Sequence, residues 1–218
     1  MRFFIDTANL IEINEMHDWG LLDGVTTNPS LMAKEGITGK ANIINHYKKI
    51  CEIVKGDVSA EVISVAFDGM IEEGETLAAL AENVVVKVPM TKDGIKAIHY
   101  FSKKKIRTNC TLVFSAGQAM LASKAGATYI SPFIGRLDDI TFDGLQLIQQ
   151  IRNMYDTQGY ETLILGASIR SGLHIVQCAE VGADIVTAPI SAYQSLFNHP
   201  LTDIGLAKFI ADYQKGNS

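Results

Sequence analysis

The chain has 218 residues, 47% of them hydrophobic and 20% charged, an ordinary globular mix long enough to bury the core of one large domain. Its 19 Lys and Arg against 24 Asp and Glu leave a formal net charge of −5. That balance argues against nucleic acid or an anionic membrane as the main partner, but a local arginine cluster could still hold a small phosphorylated ligand.

The first apolar run, 2–6, ends in Asp6 and lacks the shape of a signal peptide. No uninterrupted apolar stretch of about 18 residues exists to span a membrane, so a cytoplasmic location is expected. Cys51, Cys110 and Cys178 are odd in number and widely spaced, with no CxxC, and read as buried free thiols rather than a disulfide or zinc framework. After Asp6 comes Thr7-Ala8-Asn9, with no GxGxxG, and a helical pattern follows over 10–19. A second strand is expected at 24–27, then a helix over 40–54 with Ile43, Ile44, Tyr47, Ile50 and Val54 on one stripe. Strand 58–62, helix 69–82, strand 84–88, helix 93–103 and strand 108–113 continue the alternation. Helix 115–124 opens on a serine in N-cap position and precedes strand 129–134. Helix 143–154 opens on an aspartate and aligns Leu147, Ile148, Ile151 and Met154. Strand 162–166, helix 171–180, strand 184–188 and helices 192–197 and 204–213 complete the set. Gly126 and Gly182 stand where helix C-caps are expected.

Strict alternation implies parallel strands joined by right-handed crossovers. Eight such units, with no low-complexity linker, predict a single (β/α)8 TIM barrel domain over 1–218. An open doubly wound sheet would normally carry a glycine-rich nucleotide loop after its first strand, and none is present.

Catalytic side chains of a barrel gather at the C-terminal ends of its strands. Polar residues concentrate there: Asp6, then Thr26, Thr27 and Asn28, Glu61, Lys87, Asn109 and Thr111, Ser131, Arg136, Ser168 and Arg170. Lys87 stands alone in the apolar run Val84-Val85-Val86-Lys87-Val88-Pro89. The run by itself fits either a lysine snorkelling to water or a buried amine nucleophile of the Schiff-base type. Desolvation disfavours an ammonium and a nearby carboxylate favours it, and the sequence leaves the balance open.

If these strand ends converge, Asp6 and Glu61 can serve the proton transfers that amine chemistry needs, while the amides and hydroxyls suit a polyhydroxylated substrate. Arg136, and Arg170 with Ser168 at a helix start, suggest a phosphate site. His17, His46, His99, His174 and His199 fall in helices or at their ends, so no metal-ligand cluster is indicated and no cofactor is expected. Lys103-Lys104-Lys105 reads as a solvated helix end.

The motifs Phe4-Ile5-Asp6-Thr7-Ala8, Gly24-Val25-Thr26-Thr27-Asn28-Pro29-Ser30, Val85-Val86-Lys87-Val88-Pro89, Asn109-Cys110-Thr111-Leu112, Ser131-Pro132-Phe133-Ile134-Gly135-Arg136 and Gly166-Ala167-Ser168-Ile169-Arg170 resemble the transaldolase family. Their order and spacing match its short-chain branch, which includes fructose-6-phosphate aldolases. The resemblance covers essentially the whole chain. It implies that Lys87 attacks a ketose carbonyl and that Asp6 takes and returns a substrate hydroxyl proton. Glu61 and Thr111 would hold a proton-shuttling water. Asn28, Asn109 and Ser131 would bind the dihydroxyacetone unit with Thr26 in support, and Arg136, Ser168 and Arg170 would hold the phosphate. The aldolases carry Gln where Glu61 stands and Tyr where Phe133 stands, so Glu61 and Phe133 point to transfer within the pentose phosphate pathway. Release of free dihydroxyacetone is the alternative. The resemblance also implies a homo-oligomer, a pentamer or decamer, in which a C-terminal helix over 201–214 reaches across subunits.

Overall fold

The computed structural model of the chain describes residues 1–216. Eight parallel strands close into a barrel in sequence order: β1 Arg2–Asp6, β2 Gly24–Thr26, β3 Asp57–Glu61, β4 Val84–Pro89, β5 Thr108–Val113, β6 Tyr129–Pro132, β7 Leu163–Gly166 and β8 Ile185–Ala188. β1 pairs with both β2 and β8, which closes the ring and leaves no edge. The helices between them are α1 Leu10–Asp18, α2 Pro29–Lys34, α3 Lys40–Ile53, α4 Phe67–Ala78, α5 Lys92–Lys103, α6 Ala116–Ala125, α7 Ile134–Asp138, α8 Gly144–Gln158, α9 Gly172–Glu180 and α10 Ile190–Ser195, with α11 Pro200–Gly216 at the end. No helix among the described residues is long and apolar enough to cross a membrane.

Strand residues alternate between two cores. Ile5, Val25, Val58, Val86, Val88, Cys110, Ile130, Ile164 and Val186 point outward into the large core shared with the helices. Phe4, Val85, Tyr129, Leu165, Ala167 and Ile185 point inward and fill the barrel. Burial raises the Cys110 and Cys178 thiols to about 12, consistent with inert core residues.

The inward residues change character along four of the strands. Two positions after an apolar plug residue comes a polar one, as Phe4 then Asp6, Val85 then Lys87, Tyr129 then Ser131, and Ile185 then Thr187, whereas on β7 Leu165 is followed by Ala167. The period of two therefore builds an apolar floor with a polar layer on top, at the C-terminal ends of the strands. Beneath the floor the Arg2 guanidinium lies 5.8 and 5.7 Å from the Phe4 and Tyr129 ring centres.

Caps follow the sequence. Ser115 accepts from Gln118 N and Asp143 from Leu145 N. Gly126 closes α6 in the left-handed conformation, at φ 96°. Several boundaries differ from expectation. The strand expected at 129–134 stops at Pro132; Phe133 adds one isolated parallel bridge to Ala167, and α7 starts at Ile134. The strand expected at 24–27 stops at Thr26, and Asn28 caps the short α2. Helix 69–82 runs as Phe67–Ala78, and helix 143–154 continues to Gln158. The terminal helix, expected at 204–213, runs over Pro200–Gly216.

Candidate active site

A cavity of about 240 Å³ opens at the C-terminal end of the barrel. Its walls come from strand ends far apart in sequence. Asp6 enters from β1, Thr26 and Asn28 from the end of β2, Lys87 from β4, and Ser131 and Phe133 from the end of β6. Arg136 on α7, Ser168 and Arg170 after β7 and Thr187 on β8 complete it.

Lys87 is 4% exposed. Its Nζ lies 3.1 Å from Glu61 Oε2 and donates to Thr27 O at 3.3 Å. β-register explains the first contact, since Glu61 and Lys87 are partners on adjacent strands. The lysine does not snorkel to water: it is held at the cavity wall by one carboxylate and one carbonyl. Glu61 does not line this cavity but lines a second space of about 320 Å³ with Tyr47, Ile63 and Leu77. Glu61 N donates to Tyr47 Oη at 3.1 Å, which fixes the end of β3.

Asp6 sits on the opposite strand pair. Burial raises its carboxyl above the usual carboxylate range, and the Lys87 charge and a hydrogen bond from Thr26 offset part of that rise. Thr26 Oγ1 donates to Asp6 Oδ1 at 2.7 Å and lies 2.7 Å from Thr187 Oγ1.

Asn109 and Thr111 stand behind the cavity surface. Asn109 Nδ2 donates to Ser59 Oγ at 3.1 Å, and Ser131 Oγ donates to Asn109 Oδ1 at 2.8 Å. This belt fixes the orientation of the Ser131 hydroxyl beneath the cavity. Thr111 Oγ1 and Thr27 Oγ1 are buried without a hydrogen-bond partner among the described residues.

The two arginines converge through a close backbone approach. A Cβ on Gly135 would lie 2.1 Å from Ser168 O and 2.7 Å from Arg170 Nε, so only glycine lets α7 pack against the loop after β7. The Arg136 guanidinium lies 5.0 Å from the Phe133 ring centre, and Arg170 Nη2 pairs with Asp139 Oδ2 at 2.7 Å. Ser168 adopts a left-handed backbone, φ 60°, which is uncommon for a residue other than glycine. Ser171 caps α9 by accepting from His174 N.

The structure thus gathers the sequence-selected residues around one cavity or directly behind it. It adds Thr187, Ser59, Tyr47 and the carbonyl of Thr27. Thr187 carried a weaker signal, a hydroxyl inside an apolar strand that runs on to Ala188. Thr27 acts through its main chain and leaves no such trace.

The family model described as "Transaldolase/Fructose-6-phosphate aldolase" matches residues 3–216. A "Probable transaldolase" of Flavobacterium psychrophilum is 66% identical over 217 residues, covering 100% of both chains. Another, of Phocaeicola vulgatus, is 68% identical with the same coverage. Among solved structures, a thiamine phosphate pyrophosphorylase from Pyrococcus furiosus superposes with a TM-score of 0.61 at 12% identity, over 86% of this chain and 85% of its own. At that identity the likeness concerns the barrel alone. The family match over nearly the whole chain and the full-length relatives agree, and the chain belongs to the transaldolase/fructose-6-phosphate aldolase family.

Proposed function

We propose that the protein is a transaldolase. It moves a dihydroxyacetone unit between sugar phosphates, interconverting fructose 6-phosphate plus erythrose 4-phosphate with sedoheptulose 7-phosphate plus glyceraldehyde 3-phosphate. The observation that carries this reading is the buried Lys87 amine at the cavity wall, between the Glu61 and Asp6 carboxylates.

Lys87 Nζ attacks the ketose carbonyl, and the carbinolamine loses water to give an iminium. Glu61, 3.1 Å from the same nitrogen, is placed to handle the protons of that dehydration through a water that Thr111 helps hold. Asp6 then takes the proton of the hydroxyl on the carbon beyond the breaking bond. That bond's electron pair passes into the iminium, an enamine forms, and the aldose phosphate leaves. Attack of the enamine on a second aldose reverses these steps, with Asp6 returning the proton. Asn28 and Ser131 bind the three-carbon unit, with Asn109 behind Ser131 and Thr26 in support, and Arg136, Ser168 and Arg170 hold the phosphate.

Phe133 favours transfer over free aldol cleavage. It lines the cavity beside Arg136, where a hydroxyl could help protonate the enamine, and a phenyl ring cannot. The enamine therefore waits for an aldehyde. Consumption of fructose 6-phosphate, measured with and without erythrose 4-phosphate, tests this. The rate is expected to depend on the acceptor, with little free dihydroxyacetone. Phe133→Tyr should raise acceptor-independent release severalfold. Fast release by the unaltered protein would favour the aldolase reading instead.

The protein would act in the pentose phosphate pathway of the cytoplasm as a homo-oligomer, a pentamer or decamer. α11 supports assembly: none of its residues is buried, and Leu201, Phe209 and Tyr213 are 71%, 72% and 75% exposed.

A further inference from the structure

Three side chains at the seam of the barrel form a hydroxyl chain that ends on a carboxyl. Thr187 on β8, Thr26 on β2 and Asp6 on β1 between them are joined by two contacts of 2.7 Å. Both threonines are buried, at 1% and 2% exposure, and all three residues reach the cavity. The protons can be counted. A hydroxyl carries one hydrogen and a carboxylate none. With Asp6 ionised, the Thr26 hydrogen goes to Asp6 Oδ1, so the 2.7 Å contact with Thr187 requires the Thr187 hydrogen to point at Thr26. Thr187 then offers the cavity only lone pairs. With Asp6 protonated the count changes. Its proton can turn to Thr26 and the Thr26 hydrogen to Thr187, which frees the Thr187 hydrogen for an oxygen in the cavity.

We propose that Thr187 is a positioning residue that holds Thr26 as the donor to Asp6, and that this chain reverses direction when Asp6 takes up a proton. The proposal rests on the reading of Asp6 as the group that takes the substrate hydroxyl proton. Chained hydroxyls polarise one another, so each donation strengthens the next. Asp6 must hold a charge that burial opposes, and the chain supplies one of the compensating contacts. The charged and titratable groups around it are known. Lys87 faces it from β4, paired with Glu61 of β3, and Arg136 and Arg170 lie across the cavity. Tyr193 of α10 approaches from outside the barrel, but its hydroxyl donates to Phe4 O at 2.7 Å and does not reach the carboxyl. A change at position 187 leaves all of these in place.

The test uses Thr187→Val, which keeps the shape and removes the hydroxyl, and Thr187→Ser, which keeps the hydroxyl. Thr187→Ala stands in for the valine variant if that protein does not fold. Asp6 ionisation is followed without substrate by infrared spectroscopy of protein carrying carbon-13-labelled aspartate carboxyls, with Asp6→Asn identifying the band. Transfer is followed against pH, and Schiff-base formation by borohydride trapping with dihydroxyacetone, which involves no carbon–carbon cleavage. In Thr187→Val we expect Asp6 to ionise at higher pH, by about half a unit, and the acid limb of kcat to move with it. Turnover at neutral pH should fall about three- to tenfold, with trapping on Lys87 and KM unchanged. Thr187→Ser should restore both. A valine variant whose Asp6 ionises as in the unaltered protein would overturn the proposal. So would trapping that falls in step with turnover, or a serine variant as impaired as the valine. If the unaltered protein transfers nothing, the transaldolase reading fails, while the infrared titration still decides the hydroxyl chain.

Discussion

Asp6 holds a carboxyl in a place that opposes its charge. Burial raises it above the ordinary carboxylate value of 3.8, and Lys87 and Thr26 offset part of the rise. The folded state therefore binds a proton that the unfolded chain releases near that ordinary value. This contribution to stability is fully present below that pH and is lost as pH rises through the folded value. At neutral pH an ionised Asp6 thus costs stability. Asp6→Asn removes that cost and keeps the shape, so its Tm at neutral pH should rise, and the gain should shrink as pH falls toward 4. If Asp6 is the proton acceptor, as proposed, the same substitution should lower turnover by about 10²–10⁴-fold while Lys87 still traps dihydroxyacetone. Thermal scans at two pH values beside a transfer assay check both halves. A variant that is less stable at neutral pH, or that still turns over normally, would contradict this account.

At the level of elements, legibility followed length and periodicity. The run around Lys87 was readable because β-branched residues fill it, and β4 lies where expected with Pro89 added. Although α10, of 6 residues, was expected as 192–197 and lies at Ile190–Ser195, the helices α2 and α7, at 6 and 5 residues, were not expected. In both cases the chain turns directly from strand to helix at the rim. Asn28 supplies the cap for α2 and also faces the cavity, so its amide serves both fold and site. The end of β6 was overestimated because Phe133 and Ile134 continue its apolar run, while beyond Pro132 the pairing is reduced to one isolated bridge from Phe133 to Ala167 and α7 starts at Ile134. Thr187 was missed in a similar way: the apolar strand carries on to Ala188, so its one hydroxyl looked like part of the strand. Asn109 and Thr111 were legible as polar strand residues. The register shift between β5 and β6 after Cys110, and Leu112 at φ 61°, are announced by no local pattern.

For the whole molecule, one barrel accounts for the site, and α11 raises the question of assembly. Leu206, Phe209 and Ile210 share one face of the helix and are 58%, 72% and 51% exposed, an apolar face that water would not ordinarily be left to cover. If α11 packs against other copies of the chain, Phe209→Asp combined with Ile210→Asp should lower the solution mass toward that of one chain, as read by light scattering. An unchanged mass would place the contact elsewhere. Whatever the assembly, the account stands on the amine of Lys87, which is held 3.1 Å from Glu61 and reaches the cavity that Asp6 also lines. The most direct measurement is borohydride reduction in the presence of fructose 6-phosphate, followed by peptide mass spectrometry. The account predicts a reduced three-carbon adduct on Lys87 and none in Lys87→Ala, which should also lose transfer. An adduct on another lysine, or undiminished transfer by Lys87→Ala, would contradict it.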